Sequence, residues 1–159
     1  MITHGSLSFP VGFSGSFHRD LSGAQNTRFI ARIYGVDTKE LQDFVQNFSG
    51  LGRNFYLPVR SYSSGMKSRL AFGVSMGIHF DTYLVDEVTS VGDRAFRVRS
   101  AEVFKDRMIH SGAVVVTHSI PEMRNLCQSG VILEDGYAQF YPDLDEALDI
   151  HVRTMDSSK

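Results

Sequence analysis

The chain of 159 residues is long enough for one domain with a hydrophobic core, and 42% hydrophobic with 21% charged residues is an ordinary globular composition. A formal net charge of −2 argues against a general nucleic-acid or anionic-membrane binder, because such proteins cluster an excess of Lys and Arg on one face. The single cysteine, Cys127, cannot form an internal disulfide, which favours a reducing compartment and an inert thiol.

The N-terminus lacks the basic start and long apolar core of a secretory signal, and no apolar run has the length that crosses a bilayer. We therefore expect a soluble protein that reaches a membrane only through a partner.

The first part of the chain predicts a short strand at Leu7–Phe9, a glycine-rich loop and two helices. The first helix, Gln25–Tyr34, has Phe29, Ile30 and Ile33 at helical spacing. The second, Thr38–Phe48, repeats that spacing with Leu41, Phe44, Val45 and Phe48. Thr38 is a candidate N-cap of the second helix, and Gly50 and Gly52 are candidates for its end.

The rest of the chain predicts alternating strands and helices, the signature of βαβ units. A helix at Met66–Phe80, with glycines that allow close packing, precedes a strand at Thr82–Val85. A crossover helix at Asp93–Ile109 leads to a β-branched strand, Ala113–Thr117, of the kind buried in parallel sheets. Later elements are a helix capped at Ser119, a hairpin turning at Asp135-Gly136, and a terminal helix at Pro142–Met155.

Three polar features lie where chemistry is expected. Asp86 and Glu87 end one strand and His118 follows another, and ligands of parallel sheets bind at the carboxyl ends of strands. With a nucleotide as ligand, Asp86 can hold Mg²⁺ through water and Glu87 can orient the attacking water. Taken alone, the acidic pair is better explained by a solvated strand end, and the histidine by a polar cap.

The turn Ser63-Ser64-Gly65 opens a helix that carries Lys67 and Arg69 in its first turns. Amides at the positive end of a helix dipole suit an anion. Taken alone, the turn is also explained by a serine that caps an ordinary helix.

Together these segments resemble the ATP-binding subunits of ABC transporters. Tyr62-Ser63-Ser64-Gly65-Met66 followed by Arg69 resembles the signature motif, Tyr83 to Glu87 the Walker B strand, Ser90 to Asp93 the D-loop, and Thr117-His118-Ser119 the switch-histidine loop. Four motifs in the family's order make a chance match improbable. The amino-acid sequences of these motifs are most similar to those of the ATPases that export capsular polysaccharide, teichoic acids or O-antigen.

The resemblance implies a fold and a set of roles. The fold is α/β, a partial P-loop NTPase domain with a mostly parallel sheet, helices on both faces and a helical subdomain at about residues 20–61, followed by the motif-bearing part at about 62–159. Glu87 is implied as the catalytic base, Asp86 as the Mg²⁺ ligand and His118 as the contact of the γ-phosphate. Ser63, Ser64, Gly65 and Met66 are implied to bind ATP held by the opposite subunit.

Further implications concern assembly. His18 falls where the family places its Q-loop, and Asp93 is implied to link the two sites of a homodimer. The helical subdomain is implied to dock on a transmembrane permease at the cytoplasmic face of the inner membrane. ATP and Mg²⁺ are the implied cofactors. Neither binding to nucleic acid nor direct insertion into the membrane is expected.

The sequence departs from the family in one major respect. It contains no Gly-x-x-x-x-Gly-Lys-Ser/Thr motif, the Walker A loop whose amides and lysine hold the β- and γ-phosphates. The resemblance places that loop ahead of Met1, so a truncated reading frame or fragment is expected, with an exposed sheet edge or apolar surface. His18 also replaces the family's usual glutamine.

Two alternatives stay open at this stage. One is a catalytically incompetent remnant that at most binds a partner. The other is a DNA-repair or chromosome-type ATPase, which the absence of long heptad segments disfavours.

Overall fold

The computed structural model describes residues 5–86 and 93–157, with side chains described through residue 154. The chain divides into two compact units, Met1–Val114 and Val115–Lys159. The predicted boundary between a helical subdomain and the motif-bearing part, near residue 61, falls inside the first unit and stays a prediction.

Helices and strands alternate along most of the chain. In order they are β1 (Leu7–Pro10), α1 (Gly23–Tyr34), α2 (Thr38–Ser49), α3 (Ser64–Gly77), β2 (Thr82–Asp86), α4 (Arg94–Arg107), β3 (Gly112–Val116), α5 (Ile120–Leu126), β4 (Gly130–Glu134), β5 (Tyr137–Tyr141) and α6 (Leu144–Ser157). Two short 3-10 helices, Gly52–Tyr56 and Val59–Ser61, lie between α2 and α3.

The sheet of the first unit has the order β1-β2-β3. Strands β1 and β2 run parallel, with Leu7 opposite Thr82. At the start of the pair, both the amide and the hydroxyl of Ser6 donate to Asp81, and the Asp81 amide donates back to the Ser6 hydroxyl. These contacts fix the register of the two strands, and the parallel pairing with intervening helices confirms the α/β class.

The prediction that the β-branched strand is buried is wrong. β3 is the edge of the three-stranded sheet, and Val114 and Val116 are 55% and 60% exposed. Its composition is that of a central strand, but among the described residues the neighbouring strand lies on one side only. The expectation of an exposed edge with apolar side chains is confirmed here.

Helix α1 ends at Gly35, whose backbone is left-handed, and it packs against α2. Ile30 is buried, as its spacing predicts, whereas Phe29 and Ile33 are more than half exposed, so the inward face of α1 is narrower than the sequence suggests. The predicted cap of α2 was wrong by one residue, because the Asp37 side chain, one residue before Thr38, accepts from the Glu40 amide.

Helix α3 packs closely against α2, as its glycines predict. A Cβ added at Gly77 would overlap Cδ1 of Leu41, and one added at Gly73 would lie 3.3 Å from the Phe48 ring. α3 ends at Gly77 and not at Phe80, because Ile78 is already extended. Its buried side chains, with those of α2, form the core beside the sheet.

The second unit contains α5, a hairpin and α6. β4 and β5 pair antiparallel around Asp135 and Gly136, both with positive φ, as the Asp-Gly turn predicts. Ala147 and Leu148 of α6 are buried, and α6 lies so close to the hairpin that a Cβ on Gly130 would be 2.7 Å from that of Ala147.

Candidate functional site

The signature segment forms the N-terminus of α3. Ser63 has an extended backbone and is the N-cap, because its hydroxyl accepts from the Met66 amide at 3.2 Å. In a helix the first amides have no intrahelical acceptor, so those of Ser64 and Gly65 are oriented along the helix axis toward its N-terminal end. A Cβ added to Gly65 meets no atom within 4 Å, which leaves open space over this turn.

A surface cavity of about 490 Å³ lies at this turn. Its lining combines signature residues with residues of α2's end, the first 3-10 helix and α4: Gly50, Leu51, Asn54, Ser63, Gly65, Met66, Arg69 and Asp93. The resemblance implies that the signature binds ATP of the opposite subunit and that Asp93 links the two sites of a dimer, and these roles stay predictions. Within the chain, Ser63, Gly65, Met66 and Asp93 line one cavity. The sequence did not predict that Gly50, Leu51 and Asn54 line this cavity, because the segment that contains them carries no recognisable motif.

Asp93 is the N-cap of α4, and both of its carboxylate oxygens have partners. Oδ1 accepts from the Phe96 amide at 2.9 Å, and Oδ2 accepts from Nη2 of Arg69 at 2.6 Å. These contacts lower the pKa of Asp93, and the hydrogen bond from the Phe96 amide is the largest cause. The implied role of Asp93 across a dimer stays a prediction, and within the chain its contacts join α4 to the signature helix.

Asp86 is the last residue of β2 and is exposed, at the carboxyl end of a parallel pair as predicted. Glu87 and the segment Ser90 to Gly92 lie outside the described residues, so the roles predicted for them stay predictions. An exposed carboxylate at this strand end fits a hard cation such as Mg²⁺, which prefers oxygen ligands and keeps several waters. No cluster of three or more His, Cys, Asp or Glu that could hold a metal ion occurs in residues 5–86 and 93–157.

His118 lies in the loop between β3 and α5 of the second unit and is exposed. Its neighbours hold the loop: the Thr117 hydroxyl donates to Glu122 at 2.7 Å and accepts from the Ser119 amide at 3.2 Å. Ser119 caps α5, as predicted. The proposed pairing of His118 with Glu87 involves a residue outside the described range and stays a prediction.

His18 lies in the loop before α1, and a buried residue that sequence reasoning missed holds that loop. The Asn26 side chain accepts from the His18 amide at 2.8 Å and donates to the carbonyl oxygens of His18 and Ser22. Asn26 is 2% exposed. An asparagine in a first helical turn ordinarily faces solvent, so only its position after the Ser22 capping box hints at this role.

Cys127 follows α5 and is half-buried, and burial raises its thiol pKa, in agreement with an unreactive side chain. Across the described part of the chain, every helix is too short or too polar to span a bilayer.

Known proteins are similar to this chain over almost its whole length. The polysialic acid transport ATP-binding protein KpsT of Escherichia coli is 40% identical over 152 residues, covering 94% of this chain and 68% of that protein. The capsule polysaccharide export ATP-binding protein CtrD of Neisseria meningitidis serogroup B is 43% identical over 147 residues, covering 92% and 68%. The chain belongs to the capsule-export family of ABC ATP-binding proteins.

Other comparisons agree with this family. A teichoic acids export ATP-binding protein of Bacillus anthracis is more distant, at 27% identity. A solved structure described as the ATP-binding subunit of an ABC transporter superposes with a TM-score of 0.71 at 18% identity, covering 92% of this chain and 61% of that one, which confirms the fold. A scan against protein-family models gave no match.

The chain thus spans about two thirds of the capsule-export relatives. The resemblance inferred from the signature, Walker B, D-loop and switch-histidine motifs is confirmed at the level of the family.

Proposed function

We propose that this chain forms the signature, Walker B and switch-histidine part of an ATP-hydrolysing subunit that drives export of a capsular polysaccharide across the inner membrane. In this proposal Ser63, Ser64, Gly65 and Met66 bind the phosphates of ATP held by a second subunit. Asp86 holds Mg²⁺ through water, Glu87 is the base that activates the attacking water, and His118 contacts the γ-phosphate.

The observation that carries the proposal is the arrangement at the start of α3. The Ser63 cap, the first-turn amides and the open space over Gly65 face one cavity that Asp93 also lines. Oriented amides at a helix N-terminus bind phosphate, and they stabilise charge that develops during phosphoryl transfer. Membership of the capsule-export family supplies the class of cargo.

The assembly follows from the same family. We propose a homodimer in which each signature segment completes the site of its partner, with Asp93 near the dimer contact. The helices of residues 20–61 and the His18 loop dock on a permease, which places the subunit at the cytoplasmic face of the inner membrane.

The test uses a hybrid subunit, because the 159 residues contain no Walker A motif. In the hybrid, the part of Escherichia coli KpsT that precedes its match to this chain is joined in front of the complete chain. We expect Mg²⁺-dependent ATP hydrolysis by the hybrid, lost in Glu87→Gln and Ser63→Arg. Lys105→Met, which removes a charge at an exposed position of α4, is the control and should keep full activity.

A second candidate is a protein that binds a partner without hydrolysing ATP, favoured by the missing Walker A motif. A folded hybrid that neither binds nor hydrolyses ATP would favour this candidate. Hydrolysis that is unaffected by Glu87→Gln would contradict the roles proposed for the site.

A further inference from the structure

Arg69 joins the two motifs that line the cavity. It lies in α3, five residues after Ser64, and its Nη2 is 2.6 Å from Oδ2 of Asp93 at the start of α4. Its side chain is 26% exposed, far less than the other described ion-paired side chains of the first unit, which are at least half exposed. An ion pair of this kind holds a more defined geometry than a freely solvated one.

The aromatic core fixes the position of Arg69. Its guanidinium carbon lies 5.3 Å from the centre of the Phe96 ring, a cation–π arrangement. Phe96 is 2% exposed and packs edge-on against Phe48 and Phe72. Arg69 is therefore held on both sides, by a carboxylate at the start of α4 and by the ring one turn later.

Each partner is also tied to a motif. Asp93, the last residue of the D-loop segment, caps α4, and α3 begins at the signature turn. A change in the distance between Arg69 and Asp93 thus changes the distance between the two motifs at the cavity.

We propose that Arg69 is a positioning residue, which sets the signature turn relative to Asp93 and so holds the cavity in the geometry that ATP requires. The inference rests on the proposed function for its role in hydrolysis, while the coupling itself is a property of the chain alone. The residue acts through Asp93 and the start of α3, and it does not itself contact the reacting atoms.

Two substitutions separate the ion pair from the cap. Asp93→Asn retains a side-chain oxygen that caps α4 and loses the charge, since Asn and Asp are equally good N-caps. Arg69→Met retains an aliphatic stem over Phe96 and loses the guanidinium. Arg69→Gln replaces Arg69→Met if the latter does not fold, as judged by circular dichroism.

The first measurement is made on the complete 159-residue chain by NMR. Asp93→Asn is introduced into the wild type and into Arg69→Met, and the displacement of the Ser64, Gly65 and Met66 amide signals is compared. The direct electrostatic effect of losing the Asp93 charge shifts these amide signals equally in both backgrounds. A difference in displacement between the two backgrounds therefore reports a structural effect that passes through Arg69. We expect the displacement to fall by more than half in the Arg69→Met background, and an equal displacement in both backgrounds would overturn the inference.

The second measurement is ATP hydrolysis by the hybrid subunit. We expect Arg69→Met and Asp93→Asn each to lower kcat at least about fivefold with KM within about twofold, and the double variant to be no worse than either single variant. Lys105→Met is again the control. Additive losses would overturn coupling through the pair, and an inactive parent hybrid would contradict the proposed function while leaving the NMR result to decide the coupling.

Discussion

The Tyr62 hydroxyl donates a 2.6 Å hydrogen bond to the carbonyl oxygen of Asn54, and this contact ties the residue before the signature serine to the 3-10 helix Gly52–Tyr56. Tyr62 is 5% exposed, and burial raises its pKa. The closeness of the same hydroxyl to α1, where a Cβ on Gly23 would lie 2.6 Å away, leaves little room for movement. The start of α3 is therefore held by the helical part of the chain.

Tyr62→Phe removes this hydrogen bond, while the Leu57 amide still donates to the Asn54 carbonyl. We expect the free energy of unfolding to fall by about 1 kcal/mol, the usual net contribution of one intramolecular hydrogen bond. Urea unfolding followed by circular dichroism measures the change.

Tyr56→Phe is the matched control. The Tyr56 hydroxyl donates to Gln46 at 3.0 Å, but Tyr56 is 61% exposed, so water replaces the lost partner. We expect a change within about 0.5 kcal/mol. Equal effects of the two substitutions would mean that the Tyr62 hydrogen bond does not stabilise the fold.

Gly77→Ala should destabilise the packing of α2 on α3. The added methyl carbon would overlap Leu41 and lie 2.9 Å from the Phe44 ring, and Leu41 is only 2% exposed, so it has little space to move. Overpacking of this kind costs about 1–3 kcal/mol. A thermal shift measures it, and a midpoint equal to or above that of the wild type would contradict the tight contact.

Gly65→Ala is expected to leave the fold intact and to impair ATP hydrolysis. Its methyl group meets no atom of the described chain within 4 Å, and alanine is a better helix former than glycine. In the proposed function, that open space is where the phosphates of ATP lie against the amides of the signature turn. We expect hydrolysis by the hybrid subunit to fall at least about tenfold with an unchanged unfolding midpoint.

Unchanged hydrolysis in Gly65→Ala would show that phosphate does not approach this turn. A lowered unfolding midpoint would show that the space over Gly65 is occupied within the folded chain.

The stability of the chain should depend on the ionisation of Asp93. The Phe96 amide, followed by Arg69, lowers its pKa below the ordinary value of about 3.9, so its contribution to stability is complete above that value. The contribution is lost as the pH falls through the lowered folded-state pKa, because the carboxylate then becomes protonated in the folded chain as well.

The difference in the free energy of unfolding between the wild type and Asp93→Asn should therefore be constant from pH 7 to about 5 and shrink below about pH 4. Urea unfolding at a series of pH values tests this. A difference that widens on acidification would contradict the sign of the pKa shift.

The sequence predicted the order of elements well where two local signals agree. Asp135-Gly136 between two strand-like runs located the hairpin, and Ser119 as an N-cap located the start of α5. Where one signal stood alone, the prediction was less accurate. Thr38 was named as a candidate cap although Asp37 beside it is the better acceptor, and Phe29 shares the helical spacing of Ile30 but is more than half exposed.

The chemistry of the site was recognised from motifs, and its arrangement was not. Ser63 and Asp93 were named from their motifs. The presence of Asn54 at the cavity and the contact between Arg69 and Asp93 depend on helix packing, which no local pattern encodes. Likewise, the β-branched residues of β3 predict a strand but not its exposure, because exposure depends on which neighbouring strands are present.

The most direct test of capsule export is made in cells of Escherichia coli that lack their own KpsT. The hybrid subunit is expressed in these cells, and polysialic acid at the cell surface is measured with a specific antibody. We predict that surface polysialic acid returns with the hybrid and not with its Glu87→Gln variant at equal protein level. A hybrid that hydrolyses ATP but restores no surface polysaccharide would contradict a role of this chain in capsule export.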